Sequence, residues 1–279
     1  WGSTAGMVGA RCSGGASRGN AVIQRATVTA LSPIVHSEGT EGNVALQRTI
    51  TKWDPDAGRL VEVPFVSGNS VRGILRDIGA ALAVDRLDAR GELSGAAVHA
   101  LASGGALVKA AKPMTSSEEH RLKELVPHLA LFACSGGGRI MGGRLRVNHM
   151  MPMQDIPLDA LTAEQFGTRS ARLPHGLTAE EHEGDQMIYE FQAIPAGVSF
   201  SWAVGVVGSD ADPMALAARS WLGTVLDAWI ADGAYVGAKG ASGYGSVAVA
   251  WDSAPEWGSS LAEPTEDERA EAIELLNRL

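Results

Sequence analysis

Twice along this chain the hydrophobic period switches from two-residue alternation to helical spacing and back, and this double switch constrains the fold more than any other feature. From Val22 to Ala30 the run VIQRATVTA alternates β-branched and polar residues, the pattern of a half-buried strand. At Ser67-Gly68-Asn69-Ser70 capping oxygens precede VRGILRDIGAALAVDRL, whose apolar residues recur at helical spacing. The strand period then returns in RLRVNHM, and again in YEFQAI and VSFSWAVGVV, which a Pro-Ala-Gly turn joins. Asp212-Pro213 opens a second helix, MALAARSWLGTVLDAWIADG, with Trp221, Val225, Leu226 and Trp229 on one face. The alternating SVAVAW closes the series as a last strand.

The order is therefore β-α-β-β-α-β, an α+β chain on the split βαβ plan of ferredoxin-like domains, which RRM-like readers of single-stranded RNA share. The palm of such a domain spans residues 21–150 and 187–252. Within it, Trp53 to Pro64 reads as a hairpin with DPDAG at its turn, and His36 to Asn43 as a polar loop. Residues 94–127 show low contrast and read as helices with loops. The run SGGGRIMGG, residues 135–143, is too glycine-rich for a regular element. Residues 151–186 carry Pro, Met and charge without period, longer than an ordinary loop, and read as an inserted arm. Residues 253–279 form an acidic tail ending in the short helical run EDERAEAIELLNRL. Residue 1 is Trp, and residues 1–20 read as an N-terminal segment that is in part an expression remnant.

Composition removes several classes. Cys12 and Cys134 stand far apart and outside any CxxC or Cys/His cluster, so no disulfide framework, metal site or cofactor is expected, and a reducing cytoplasm suits the chain. No apolar stretch reaches the roughly 18 to 20 residues of a membrane span. The net charge of -9 disfavours a nucleic-acid partner on average, yet the charge is unevenly spread. Residues 1–150 hold 17 Lys+Arg against 12 Asp+Glu, net +5, leaving 6 against 20, net -14, for the rest. The first half is suited to phosphate, although acidic solubility of the second half explains the same split.

Three segments carry chemistry. The helix start at Ser67 to Gly73 presents free backbone N–H groups at the positive end of a helix dipole, with Arg72 and Arg76 one turn apart to extend an anion site. An ordinary N-cap with two surface arginines is the plain alternative. In Ser135 to Gly143, consecutive glycines around Gly137 let backbone amides form an anion nest. Arg139 and Met141 lie inside it, and Arg144 and Arg146 follow. A flexible loop is the alternative. In Gly237 to Gly245, Lys239 reaches phosphate and Tyr244 stacks on a base, or the glycines simply make a tight helix-to-strand connection. For catalysis only His36, Glu38 and Glu41 in the early loop offer a general base, and a solvated loop accounts for them equally.

Taken together the chain resembles the RAMP superfamily of CRISPR-Cas proteins, in particular the repeated backbone subunits of type III and type IV effector complexes. The resemblance runs from Ala26 to Trp251, carried by TALSPIVHSEG, VPFVSGNSVRGILRD, LFACSGGGRIMGGRLRVNHMMP, YEFQAIPAGVSFSWAVGV and GAKGASGYGSVAV in that order. It implies guide-RNA contacts for Ser67, Asn69, Ser70, Arg72, Arg76, Gly137, Arg139, Met141, Arg144, Lys239 and Tyr244. The arm at 151–186 resembles the family's thumb, with Met151, Met153, Arg169 and Arg172 as its contacts. Implied partners are CRISPR RNA, further copies in a head-to-tail helical assembly, other Cas effector subunits and a complementary nucleic-acid target. Type III backbones cut target RNA with an Asp in the loop after the first strand. Here Asn43 falls about there, so the expectation is a non-catalytic, type IV-like subunit, with a ribonuclease cutting target RNA at regular spacing through His36, Glu38 or Glu41 as the alternative.

Overall fold

The computed structural model describes residues 21–42, 44–107, 113–167 and 188–279. In chain order the elements are β1 (Ala21–Ala30), β2 (Ser37–Glu41), β3 (Val44–Gln47), β4 (Thr49–Asp54), β5 (Arg59–Pro64), α1 (Gly68–Arg86), α2 (Gly95–Ser103), α3 (Ser116–Leu125) and α4 (Pro127–Phe132). There follow β6 (Cys134–Gly136), β7 (Arg139–Met141), β8 (Leu145–Val147), β9 (Met151–Pro152), β10 (Thr162–Gly167), β11 (Ile188–Ala193), β12 (Ser199–Val207), α5 (Pro213–Ala231), β13 (Val247–Trp251) and α6 (Glu266–Asn277).

The main sheet has the order β13-β1-β12-β8, with β9 also paired to β12. The path β1-α1-β8-β12-α5-β13 therefore puts the fourth strand beside the first and the third beside the second, the antiparallel ferredoxin-like arrangement expected from the periods. Alternation sorts the strands' two faces. Ala26, Val28 and Ala30 of β1 point into the core, while Arg25, Thr27 and Thr29 point away from it. On β12, Phe200, Trp202, Val204 and Val206 supply the inward face.

Both long helices cover that inward face. α1 buries Val71, Leu75, Ala80 and Ala83, and α5 buries Trp221, Leu222, Val225, Leu226 and Trp229. Asp212 caps α5 by accepting from the N–H groups of Met214 and Ala215, with Pro213 in the first turn where its missing N–H costs nothing. Trp202 meets Trp229 edge-on at 5.8 Å, which joins sheet to helix at the middle of the core. The six residues of α4 are all buried, and α6 buries Ala272, Leu275 and Leu276 against a second cluster formed with α2 and α3. No helix among the described residues is long and apolar enough to cross a membrane.

Three readings change. The loop at 36–43 holds an edge strand: β2 pairs antiparallel with β3 while all its side chains stay exposed, so it carries no alternation to read. The glycine-rich run at 135–143 is a regular hairpin, β6 against β7, because Gly137 (φ +55°) and Gly138 (φ +75°) supply the two left-handed positions of a two-residue turn. The strands β11 and β12 are adjacent in sequence but not a hairpin. β11 pairs with β10 and, in parallel, with β3 in a separate sheet of order β10-β11-β3-β2.

Leu75 is fully buried in the main core. Leu75→Ala is expected to cost about 2–5 kcal/mol by denaturant titration, the range for a buried leucine truncated to alanine.

Candidate nucleic-acid interface

The start of α1 lies inside the protein, so its amide donors need partners. Ser67, 6% exposed, is the N-cap, and its Oγ accepts from the Ser70 N–H at 3.2 Å. The Ser67 N–H donates to His36 Nε2 at 3.1 Å, and the Gly68 N–H donates to His149 Nδ1 at 3.0 Å. Phe65 stands edge-on to both imidazoles, with ring centroids 6.3 Å and 4.9 Å away. The expected phosphate site at these amides is thus corrected: Ser67 and the Ser70 amide close the cap, and two histidines occupy the donors beside them. Gly68 is needed there because a Cβ would sit 2.6 Å from the Val147 carbonyl oxygen, where α1 abuts the end of β8.

Of the two arginines that follow, Arg76 turns away from the expected exposed face while Arg72 stays half-buried. Arg72 Nη2 donates to the Phe132 carbonyl at 2.6 Å, and Arg76 donates to the same oxygen at the C-terminal end of α4. Arg76 is 8% exposed, lies 5.5 Å over the Phe132 ring and leaves Nη1 without a partner. Burial, and then the neighbouring Arg72 charge, lower its pKa. Among the described residues neither arginine has a carboxylate within ion-pair distance. With Asn69, Gly73, Ala102 and Ser103 they line a groove of about 350 Å³ between α1 and the end of α2.

A second groove, of about 370 Å³, lies at the outward face of the main sheet, lined by Arg25, Val147, Asn148, His149, Met151, Ser201, Trp202 and Ala203. Thr27 and Thr29 lie on the same face of β1, and the Thr29 and Ser199 hydroxyls bond across the strands at 3.1 Å. Arg146 projects from the same face, being paired with Gly205, which pairs in turn with Ile23. The side chain of Arg25 has no hydrogen-bond or ion-pair partner among the described residues, and that of Arg146 reaches only the carbonyl of Leu145. Asp252, whose N–H donates to the Arg25 carbonyl at 3.0 Å, makes no ion pair with it. The two grooves flank the start of α1: His149 lines the second and holds Gly68, and the next residue, Asn69, lines the first.

No acidic residue lines either groove. The other grooves differ: one carries Glu124, Asp212, Glu263 and Glu268, another Asp77 and Asp85, and a third Asp232. Most arginines outside the two grooves are neutralised, as in Arg121 with Glu271 at 2.8 Å, Arg219 with Asp210 at 2.8 Å and Arg278 with Glu118 at 2.8 Å, Arg59 on β5 being an exception among the described residues.

The remaining expected contacts do not gather here. The Gly137 N–H donates to the Leu279 carbonyl and its carbonyl accepts from Met114, so the supposed anion nest is spent on the fold. Arg139 pairs with Glu119 at 3.2 Å and donates to Ser116 and the Met114 carbonyl. Met141 is fully buried, and Arg144 pairs with Asp212 at 2.8 Å. Lys239 lies 4.6 Å over the Phe191 ring and Tyr244 meets that ring edge-on at 5.4 Å, which packs their loop onto β11. Met153 is 62% exposed beside Thr27 at the rim of the sheet groove. Arg169, Arg172 and Asn43 lie outside the described residues. His36 is buried with its Nε2 occupied, Glu38 stands 3.9 Å from Arg48, and Glu41 is exposed. The sequence reading missed Arg25, Asn148, His149 and Ser201. For Arg25 the signal was present: it occupies an outward position of an alternating strand.

No protein-family model matches the chain, and no curated protein matches it. Among solved structures, a chain of a type IV-B CRISPR complex is similar over 88% of this chain and 96% of that one, at 26% identity and a TM-score of 0.55.

The buried histidines make acid stability measurable. Burial first, then Arg48 and His149, push His36 down from 6.5 to about 4, and burial likewise pushes His128 down to about 4. Above pH 6.5 both states hold these rings neutral. Between about 6.5 and 4 the unfolded chain takes up protons that the folded chain refuses, so stability falls on acidification through that window. Denaturation midpoints at pH 7 and pH 5 are expected to show this loss, and His36→Gln to show less of it.

Proposed function

We propose that this chain is a non-catalytic backbone subunit of a CRISPR effector ribonucleoprotein, which binds a guide RNA without reading its sequence and packs head to tail with further copies. One observation carries the reading. In a chain of net charge -9, two grooves free of acidic side chains flank the start of α1, and their arginines lack the carboxylate partners that most other arginines have. Such a track suits a polyanion, because each unneutralised guanidinium releases a counterion when it meets a phosphate. The similarity to a chain of a type IV-B CRISPR complex supports membership of such an effector and, with it, other effector subunits as partners; a complementary target strand is part of the proposal.

The chemistry is that of backbone contact. Arg25, Arg146 and Arg72 take phosphates; Asn69, Asn148 and Ser201 serve phosphate or ribose oxygens; the small side chains of Ala203 and Ser201 let the strand lie close to the sheet. Base edges are not engaged, as a subunit that accepts any guide requires. Repetition of one contact between copies gives an open helix rather than a ring. The ribonuclease alternative is less favoured, because His36 Nε2 is committed to the Ser67 amide.

Charge reversal at two exposed positions tests the reading. Arg25→Glu with Arg146→Glu is expected to abolish RNA co-purification, read as the 260 to 280 nm absorbance ratio in size exclusion, while the circular dichroism spectrum stays unchanged. RNA retained at wild-type stoichiometry contradicts it, and cleavage of that RNA at regular spacing would favour the ribonuclease.

A further inference from the structure

His149 stands at the junction of the two grooves in a geometry that fixes more than its position. Its Nδ1 accepts from the Gly68 N–H at 3.0 Å, so that nitrogen carries no proton and the ring's single proton lies on Nε2. The Phe65 ring, edge-on at 4.9 Å, holds the imidazole plane, and the Gly68 backbone wedged against Val147 and Asn148 holds the hydrogen-bond donor. His149 is an exposed residue and lines the sheet groove beside Arg25, Asn148 and Ser201. His36 is the instructive contrast: it accepts through Nε2 and is buried, so it is spent on the fold.

We propose that His149 is a ligand-contacting residue whose Nε2–H donates to a backbone oxygen of single-stranded RNA, either a phosphate oxygen or a ribose 2′-hydroxyl. The inference rests on the RNA-binding reading above and adds to it a neutral, pre-oriented donor among the cations. An oriented donor costs little ordering when the ligand arrives. Because it carries no charge, it adds affinity without steepening the salt dependence that the arginines set. It also ties occupancy of the groove to α1, since the atom that faces the ligand and the atom that holds the helix belong to one ring.

Two substitutions separate the ring's roles. In His149→Asn the side-chain carbonyl reaches the Nδ1 position and keeps the Gly68 bond, but nothing occupies the place of Nε2. His149→Gln places an amide donor near Nε2 and gives up the Gly68 bond. With a single-stranded RNA that the wild-type protein binds, His149→Asn is expected to keep the denaturation midpoint, bind roughly 3- to 10-fold more weakly and leave the salt slope unchanged. His149→Gln is expected to lose stability and bind more tightly than His149→Asn. The same oligonucleotide with 2′-deoxyribose identifies the acceptor: a defect that persists on it assigns the phosphate, and one that disappears assigns the 2′-hydroxyl. Wild-type affinity in His149→Asn, or the reverse order of the two variants, overturns the inference while leaving the RNA-binding reading standing. A wild-type protein that binds no RNA overturns both.

Discussion

The interior start of α1 is the constraint on which the rest of the site depends. A helix that begins inside a protein brings unsatisfied amides with it, and leaving one buried costs about 1–3 kcal/mol. Here the Ser67 hydroxyl, His36 and His149 divide that task, and each partner comes from a different part of the chain. The early loop, the helix and the end of β8 are therefore fixed to one another. That fixing sets Asn69 and Arg72 on one side of the junction and Asn148 and His149 on the other. The two grooves lie on either side of one helix start because these hydrogen bonds fix it against the end of β8.

Charge is managed by place rather than by total. Arginines that serve the fold are matched with carboxylates, among them Arg121, Arg139, Arg144, Arg219 and Arg278. Those at the grooves are matched with carbonyls or with nothing, which leaves local positive potential on a molecule whose net charge is -9. Acidic residues gather at two grooves that share no lining residue with this track, while a third, with Asp77 and Asp85, meets it at Ala102.

Much of the fold was legible because the signals were local. The Ser67 and Asp212 caps, the outward alternation of β1 and the DPDAG turn each act within a few residues, and α1, α5, β1 and the β4–β5 hairpin follow from them. Pairing between distant strands was not legible. Nothing in YEFQAI says that it joins β3 in parallel while its neighbour VSFSWAVGVV joins β1. The site divides the same way. That Asn69 and Arg72 share a groove with the helix start could be read locally, but the inward turn of Arg76 depends on the Phe132 carbonyl, 56 residues away in sequence. The glycine-rich run misled because glycines at positive φ serve a tight hairpin as well as an anion nest.

The central claim is that single-stranded RNA runs along the two acid-free grooves and over the start of α1. Photochemical cross-linking of a uridine-rich RNA to the purified protein, with the adducts mapped by peptide mass spectrometry, tests it most directly. The account expects adducts on β1 around Arg25, on residues 147–151 and on residues 69–76. Adducts confined to the β6–β7 hairpin or to residues 237–245 would contradict it.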